Sequence, residues 1–226
     1  MGNLCIIPAR AGSKRIPRKN IKLFLGNPII SYSIKAALAS KLFDEVMVST
    51  DDDQIANIAK KYGASVPFLR SKKNSDDYAT TFDVIEEVLT KYKKVGKNFN
   101  NLCCLYPCAP FVNSEIISQA YLLLESEKFD TVFPVIAYSY PIQRALRKKN
   151  GKMYMISQQN LDKRSQDLED SFHDAGQFYW CKTEKLLKSK KILTSNTGGI
   201  EISELEAQDI DTEIDWKLAE LKYQIL

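Results

Sequence analysis

The sequence predicts an α/β fold with a doubly wound, mostly parallel sheet. Short apolar runs alternate along the chain with amphipathic segments of about ten residues, which is typical of repeated strand–helix units. The first run, residues 4–7, ends at Pro8 and leads into a loop of small residues. Ligands of such sheets bind beyond the carboxyl ends of the strands. We therefore expect one domain, residues 1–226, with its functional site at that edge.

Each element follows from a local pattern. Apolar spacing with Asp, Asn or Ser caps and a terminal Gly63 predicts helices, and β-rich apolar runs predict strands. The predicted helices are 27–38, 54–62, 82–93, 113–125, 184–188 and 213–223. The predicted strands are 4–7, 45–49, 102–106, 131–135, 178–181 and 199–202. Pro67 makes 66–70 an extended edge or loop, and 96–101 is expected to be a turn.

The alternation of predicted strands and helices is interrupted between Ala137 and Ala175. Within this stretch, Asn150-Gly151 predicts the turn of a hairpin spanning 146–154. The charge-dense segment 158–174 has neither a helical nor a strand period. We interpret residues 137–175 as an insertion that leaves the sheet.

Composition narrows the classes of partner and compartment. The net charge is only +4, so the clustering of cations in one loop favours a small anionic ligand over a nucleic acid. The five cysteines have no secretory context or zinc spacing, so we expect buried strand thiols and a cytoplasmic location. The longest apolar stretch, 102–112, contains two prolines and is too short to cross a membrane.

The loop after the first strand carries the strongest functional signal. Gly12 allows close backbone approach, and exposed N–H groups can form a nest for phosphate oxygens. The single glycine fits neither a P-loop nor a dinucleotide fingerprint. A solvated basic loop is the alternative, but its position after a buried strand favours a polyphosphate. The five cations of this loop are Arg10, Lys14, Arg15, Arg18 and Lys19.

Residues 8–20, Pro-Ala-Arg-Ala-Gly-Ser-Lys-Arg-Ile-Pro-Arg-Lys-Asn, resemble the signature of the cytidylyltransferases that activate nine-carbon acidic sugars, the CMP-sialic acid synthetase group. The resemblance covers nearly the whole chain and implies a Rossmann-like nucleotidyltransferase fold. It also implies a homodimer, with 137–175 as the dimerisation and acceptor-binding insertion that reaches into the partner's site. In this family the loop binds CTP, with Arg10 and Lys19 on the triphosphate and Asn20 on the cytosine.

The resemblance implies a set of nucleotide-binding residues in two segments. The second segment is also explained by an alternative, a surface arginine followed by a helix cap. The first segment contributes Ala9, Arg10, Ala11, Gly12, Ser13, Lys14, Lys19 and Asn20, and the second contributes Arg70, Asp76 and Thr80.

Asp209 and Asp211 form a candidate metal pair. In an extended segment the i, i+2 spacing puts both carboxylates on one face, where a hard cation such as Mg²⁺ accepts oxygen ligands. A helix cap is the alternative interpretation. The resemblance implies that the pair binds Mg²⁺ and that Asp211 belongs, with Arg10 and Lys19, to the catalytic residues.

Three segments, 140–144, 164–167 and 173–180, are suited to a carboxylated, N-acylated sugar. Arginine offers a carboxylate a bidentate fork, and glutamine and aromatic rings suit acetamido groups. These segments resemble the pseudaminic acid branch of the family, and Tyr106 stands where the sialic acid enzymes usually carry glutamine. A structural role is the alternative for His173. The candidate acceptor residues are Tyr106, Gln143, Arg144, Arg164, His173, Gln177 and Tyr179.

The predicted function is therefore Mg²⁺-dependent transfer of CMP from CTP to a nonulosonic acid, with pseudaminic acid as the favoured acceptor. The product would serve surface or flagellin glycosylation. Sialic acid or another nonulosonic acid is the alternative within the class. A nucleotide-binding protein without turnover is the alternative from a different class, and the metal pair speaks against it because binding alone does not require a metal.

Overall fold

The computed structural model describes residues 2–160 and 162–226. Its strands are β1 Gly2–Pro8, β2 Leu23–Phe24, β3 Asn27–Pro28, β4 Glu45–Ser49, β5 Phe99–Leu105, β6 Thr131–Ala137, β7 Leu146–Lys149, β8 Lys152–Met155, β9 Phe172–Asp174, β10 Phe178–Lys182 and β11 Thr197–Glu201. Its helices are α1 Ile30–Ser40, α2 Asp53–Lys61, α3 Thr81–Lys94, α4 Ser114–Ser126, α5 Thr183–Ser189 and α6 Glu213–Ile225.

The main sheet has the strand order β11-β6-β10-β5-β1-β4, and β9 adds to β6. β1 runs parallel to both β4 and β5, and β6 runs parallel to β11. β10 is antiparallel to its neighbours β5 and β6. Five of the seven strands, all except β9 and β10, thus run in one direction, which confirms the predicted mostly parallel α/β sheet. The pairings also give β1, β5 and β6 one direction, so the loops after these strands share the carboxyl edge.

Alternation along the strands divides the core into two layers. In β1, Cys5 and Ile7 face the layer that α1, α2 and α4 cover, whereas Leu4 and Ile6 face the layer that α3 and α5 cover. Because successive strand side chains point to opposite faces, a run of apolar residues with no polar face requires helices on both sides. The continuous apolar composition of β1 thus explains the double winding.

Trp180 in β10 joins the sheet to α4. Its indole is fully buried, stacks on Phe43 at 4.9 Å and donates a hydrogen bond of 3.0 Å to the Ile117 carbonyl. Trp180→Ala should lower the free energy of unfolding by about 3–5 kcal/mol, because it leaves a large cavity. Trp180→Phe keeps the ring but loses the N–H group, so it should cost about 1–3 kcal/mol. Urea unfolding measures both, and equal losses would contradict the importance of ring packing.

The predicted helix start at Asn27-Pro28 is wrong. Asn27 and Pro28 instead form β3, which pairs with β2 in a short hairpin, and α1 begins at Ile30. The two turn residues Leu25 and Gly26 have φ values of 44° and 86°. Positive φ at both central residues is the geometry of a two-residue hairpin turn, and only the glycine signals it in the sequence.

Two further strand segments escaped the sequence pattern. Phe99–Asn101, predicted as a turn, begins β5, and the ring of Phe99 packs on Tyr92 at 5.3 Å. Phe172–Asp174, predicted to lack regular structure, forms β9 and pairs with Val135–Ala137 of β6. Both segments are only three residues long and contain a single apolar residue each, and partner strands distant in sequence provide their hydrogen bonds.

The insertion leaves the sheet between Tyr138 and Ser171. A hydrogen bond of 2.9 Å from the Tyr138 amide to the Ser171 carbonyl closes its base. The predicted hairpin is confirmed as β7–β8, with Asn150 and Gly151 both at positive φ. At both ends of the predicted insertion, near Ala137 and near Ala175, the chain therefore still lies next to the main sheet.

The cysteines agree with the predicted strand thiols. Cys5, Cys103, Cys104 and Cys181 are buried and Cys108 is half-buried, all as free thiols. Among the described residues, no helix combines the length and apolar character needed to cross a bilayer.

Candidate active site

A cleft of about 470 Å³ opens at the carboxyl edge of the sheet, next to β1 and β5. The loop after β1 provides one wall and Tyr106–Cys108, after β5, provides another. Gln208–Asp211, before α6, and Asp77 complete the lining with Gly176. The structure therefore brings the predicted phosphate loop and the predicted metal pair into one cleft.

Hydrogen bonds within the protein fix the start of the phosphate loop. The buried Ala9 donates its amide to the Ser49 carbonyl at 2.9 Å, which extends the β1–β4 pairing. The amide of Ala11 donates to the Asp51 carboxylate at 3.0 Å, and the amide of Ser13 donates to the Ala11 carbonyl at 2.9 Å. Alternate N–H groups of the predicted nest are thus engaged within the protein.

Gly12 lies exposed at the tip of this loop. A Cβ atom at Gly12 would meet no other atom within 4 Å, and its φ is not in the positive range. The loop itself therefore accommodates a larger residue. The close approach of a ligand to Gly12 stays a prediction.

Arg10 and Lys14 share one carboxylate. Arg10 Nη1 lies 2.7 Å from Asp77 Oδ1 and donates to the Asp76 carbonyl at 2.6 Å, and Lys14 Nζ pairs with Asp77 Oδ2. Hydrogen bonds from Lys14 and Arg10 hold the pKa of the Asp77 carboxyl below its ordinary value. The two cations thus already bind an anionic group, as a phosphate site requires.

Lys19 and Arg15 converge on Asp211 from the same loop. Lys19 Nζ donates to the Ile210 carbonyl at 2.6 Å and lies 3.7 Å from Asp211 Oδ1. The Arg15 guanidinium contacts both Asp211 oxygens at 2.7 Å. These contacts hold the segment before α6 against the phosphate loop.

Asn20 is buried beneath the loop. Its Nδ2 donates to the Arg10 carbonyl at 2.8 Å, and its Oδ1 accepts from Cys108 Sγ at 3.3 Å. Burial raises the pKa of the Cys108 thiol to about 12, so the thiol keeps the proton that it donates. In this state the Asn20 amide orients the backbone at Arg10, and the predicted contact with cytosine stays a prediction.

Asp209 and Asp211 both face the cleft, and Asp209 has no hydrogen-bond partner for its carboxylate among the described residues. Partial burial, and then the charge of Asp211, raise the pKa of Asp209. In the described part of the chain, no three His, Cys, Asp or Glu side chains converge as metal ligands. Two carboxylates suit Mg²⁺, which keeps several waters and takes further oxygens from phosphates. The donor set thus fits Mg²⁺ shared with a nucleotide.

The second predicted nucleotide-binding segment contributes Arg70, Asp76 and Thr80, and none of these three described residues lines the cleft. Arg70 is buried, donates to Ser49 Oγ at 3.1 Å and also bonds the Ser49 carbonyl. Burial lowers the pKa of its guanidinium to about 10. Asp76 reaches Arg10 through its carbonyl, and Thr80 caps α3. The predicted helix-cap alternative is confirmed for Thr80, and its contact with a nucleotide stays a prediction.

Tyr106, which follows β5, lines the same cleft as the phosphate loop. Its ring packs edge-to-face on Tyr179 at 5.7 Å, and its hydroxyl lies 3.3 Å from Thr81 Oγ1. The Tyr179 hydroxyl donates to the Asp174 carboxylate, and burial together with this bond raises the Tyr179 pKa. Gln177 is buried and donates to the Glu206 carbonyl at 2.6 Å. Of the predicted acceptor residues on the main sheet, Tyr106 alone lines the cleft among the described residues.

The remaining predicted acceptor residues lie outside this cleft. Gln143 donates to the Glu169 carbonyl at 2.8 Å, and Arg144 donates to Ser165 at 3.2 Å. Arg164 pairs with Asp167, and the exposed His173 packs near Tyr138. Within one chain, the structure therefore does not bring these side chains to the phosphate loop.

Sequence reasoning missed several groups that line or support the cleft. Asp77 and Asp51 supply carboxylates to the loop, Arg15 holds Asp211, and Cys108 orients Asn20. Arg15 belongs to the predicted basic run, and Asp77 is adjacent to the predicted nucleotide-binding residue Asp76. The spacing of residues in the sequence does not reveal which of two neighbouring aspartates faces the cleft.

A family model described as cytidylyltransferase matches residues 4–211. The chain belongs to the cytidylyltransferase family. The match includes the phosphate loop and both carboxylates of the candidate metal pair. Membership confirms the predicted enzyme class, a nucleotidyltransferase.

Relatives within the cytidylyltransferase family match over nearly the whole chain. The chain is 42% identical to the pseudaminic acid cytidylyltransferase of Campylobacter jejuni over 226 residues, which cover 100% of this chain and 97% of that protein. It is 36% identical to the CMP-N,N'-diacetyllegionaminic acid synthase of Legionella pneumophila, and the match covers 96% and 94% of the two chains. These relatives confirm the resemblance predicted from residues 8–20.

The fold also matches a solved structure. The CMP:2-keto-3-deoxy-manno-octonic acid synthetase complexed with CTP aligns with a TM-score of 0.73 at 17% identity, and the alignment covers 100% of both chains. At this identity the likeness shows the fold alone. It confirms the predicted nucleotidyltransferase fold.

Proposed function

We propose that this cytidylyltransferase transfers CMP from CTP to the anomeric hydroxyl of a nonulosonic acid, with pseudaminic acid as the acceptor. The observation that carries the proposal is the cleft in which the cationic loop meets Asp209 and Asp211. The 42% identity to a pseudaminic acid cytidylyltransferase over the whole chain supports this choice of reaction and acceptor.

The cleft residues suit substitution at the α-phosphorus. The acceptor oxygen forms a bond to that phosphorus, the bond to the bridging oxygen of pyrophosphate breaks, and the hydroxyl proton passes to a base or to solvent. A nucleoside triphosphate carries about four negative charges, and stabilising the departing charge is the main catalytic need. Arg10, Lys14 and Lys19 supply cations on one wall of the cleft, where the triphosphate would lie.

Asp209 and Asp211 would hold the magnesium ion. When bound, Mg²⁺ neutralises phosphate charge and orients the triphosphate. Asp211 becomes available only if Arg15 and Lys19 exchange its carboxylate for phosphate oxygens, since both contact it here. We propose this exchange of partners as part of nucleotide binding.

The acceptor would enter from the side of Tyr106. Burial raises the pKa of its hydroxyl, so the group is neutral and can donate a hydrogen bond to a sugar substituent. Glutamine, which the related sialic acid enzymes usually carry there, is an amide with a different shape and hydrogen-bonding pattern. Tyr106 thus supports pseudaminic acid over sialic acid.

We also propose a homodimer in the cytoplasm. Gln143, Arg144 and Arg164 lie on the insertion, away from their own cleft, which supports their use in the partner's site. The insertion exposes large apolar side chains, as an arm that contacts another chain would. These include Tyr138, Tyr140, Ile142, Leu146, Met153, Tyr154 and Ile156. The free thiols support a reducing compartment.

Pyrophosphate release with a panel of acceptors tests the proposal. CTP and Mg²⁺ are supplied with pseudaminic acid, sialic acid, N,N'-diacetyllegionaminic acid or Kdo, and kcat/KM is compared. We expect pseudaminic acid to give the highest value. Preference for another nonulosonic acid would overturn the acceptor alone, whereas no release with any acceptor would favour a nucleotide-binding protein without turnover.

A further inference from the structure

Asp77 occupies the position between two cations of the phosphate loop. Its two carboxylate oxygens are divided between Arg10, at 2.7 Å, and Lys14. Among the described residues, these are the only ion-pair partners of the three side chains. Two of the cations assigned to the triphosphate, Arg10 and Lys14, are therefore paired with a carboxylate of the protein itself.

Asp77 differs from Asp52 in a way that allows a phosphate to take its place. Asp52 also pairs with a loop cation, Arg18, but its carboxylate additionally accepts from the Ile55 amide at 2.9 Å and caps α2. Asp77 has no such second role, since its described hydrogen bonds and ion pairs all go to Arg10 and Lys14. Loss of Asp52 would disturb a helix cap, whereas the Asp77 carboxylate can leave Arg10 and Lys14 without breaking another described hydrogen bond or ion pair of its own.

The segment that carries Asp77 is a short arch, residues 76–79. On one side, Ser75 Oγ donates to the Ser71 carbonyl at 2.8 Å, and on the other Thr80 caps α3. Within the arch, Asp76 Oδ1 accepts from the amides of Tyr78 and Ala79 at 2.9 Å. The described hydrogen bonds and ion pairs from the arch to distant residues go only to Arg10 and Lys14.

We infer that Asp77 is an internal substitute for phosphate, which the triphosphate of CTP displaces from Arg10 and Lys14. The inference rests on the proposed function, because it takes these cations as the triphosphate ligands. The arch 76–79 then acts as a strap that closes the empty site and opens when nucleotide binds. The interactions of a bound ligand must offset the free energy of the two lost ion pairs. Ligands with fewer negative charges than a triphosphate should therefore bind more weakly.

This displacement also bears on product release. The CMP-sugar keeps a single phosphodiester with about one negative charge, whereas CTP has about four. Once pyrophosphate leaves, Asp77 competes well against the remaining phosphate for Arg10 and Lys14. Asp77 thus favours binding of CTP over binding of the CMP-sugar product.

Calorimetric titration with CTP, inorganic pyrophosphate and cytidine tests the inference, in EDTA so that metal makes no contribution. Asp77→Asn removes the competing charge, and Arg10→Ala removes a proposed phosphate ligand. Glu127→Gln is the matched control for lost negative charge. Its carboxylate has no described partner, and it follows α4, which ends at the opposite edge of the sheet. Thermal unfolding checks that all variants fold.

Asp77→Asn should bind CTP and pyrophosphate about three- to tenfold more tightly, the size expected for two partly exposed ion pairs. Cytidine affinity should not change, and Glu127→Gln should bind as the wild type does. Suppose that Asp77→Asn binds CTP no more tightly than the wild type does, while Arg10→Ala binds CTP more weakly. Asp77 would then orient Arg10, and the inference would fail although the phosphate-site assignment would stand. If the wild type does not bind CTP, or Arg10→Ala binds it normally, the phosphate-site assignment fails as well.

Discussion

Replacing Arg10 by alanine should lower kcat/KM for CTP by about 10²–10³-fold, as expected for loss of one preorganised group that stabilises phosphate charge. Arg10 is one of the loop cations that line the cleft, and its side chain is 35% exposed, so it can reach a ligand. The fold should persist, because its contacts lie with Asp76 and Asp77 on the arch and not within the core. Steady-state kinetics with pseudaminic acid, supported by thermal unfolding, measures both effects.

Arg10→Lys provides the matched control for this variant. Lysine keeps the charge but loses the planar fork that binds two oxygens, so its kcat/KM should fall between those of the wild type and Arg10→Ala. Normal turnover by Arg10→Ala would remove Arg10 from the phosphate site. Loss of folding in both variants would instead assign Arg10 a structural role.

Replacing Asp211 by asparagine should abolish magnesium-dependent turnover. The substitution keeps the size of the side chain but removes one of the two charges available to the metal. It also frees Arg15 and Lys19, so CTP binding in EDTA should be retained or become tighter. A titration of turnover against Mg²⁺ measures the first effect, and calorimetry measures the second.

Arg15→Ala separates a metal ligand from a structural ion pair. It breaks the same contact with Asp211 but leaves the carboxylate in place. This variant should therefore keep a magnesium requirement. If turnover by Asp211→Asn depends on Mg²⁺ as that of the wild type does, the role of Asp211 is to hold the segment before α6. The same conclusion follows if Arg15→Ala loses magnesium-dependent turnover to the same extent as Asp211→Asn.

The sequence predicted those parts of the fold that depend on local patterns. β4 has the predicted bounds, because its β-rich residues are bordered by a cap for α2. The β2–β3 hairpin was missed because its turn requires positive φ at Leu25, a residue that rarely adopts it. β9 was missed because Phe172-His173-Asp174 is too short to show a strand period and becomes a strand only when β6 supplies a partner.

The sequence likewise predicted those parts of the candidate site that lie within one continuous segment. The motif at residues 8–20 predicted a loop that lines the cleft, because this single loop contains most of the cleft's cations. The pairing of Arg10 with Asp77 joins residues that are far apart in the chain, and no spacing rule connects them. The contacts of Asn20 depend on Cys108, which comes from the loop after another strand. Charge and motif thus indicated the ligand class, whereas the counter-ions required the fold.

Direct identification of the products tests the central proposal most closely. The protein is incubated with CTP, Mg²⁺ and pseudaminic acid, and the mixture is analysed by mass spectrometry together with a pyrophosphate assay. We expect one CMP-pseudaminic acid and one pyrophosphate for each CTP consumed, with none from Asp211→Asn. CTP that is bound but stays intact with every nonulosonic acid tested would contradict the proposed transfer.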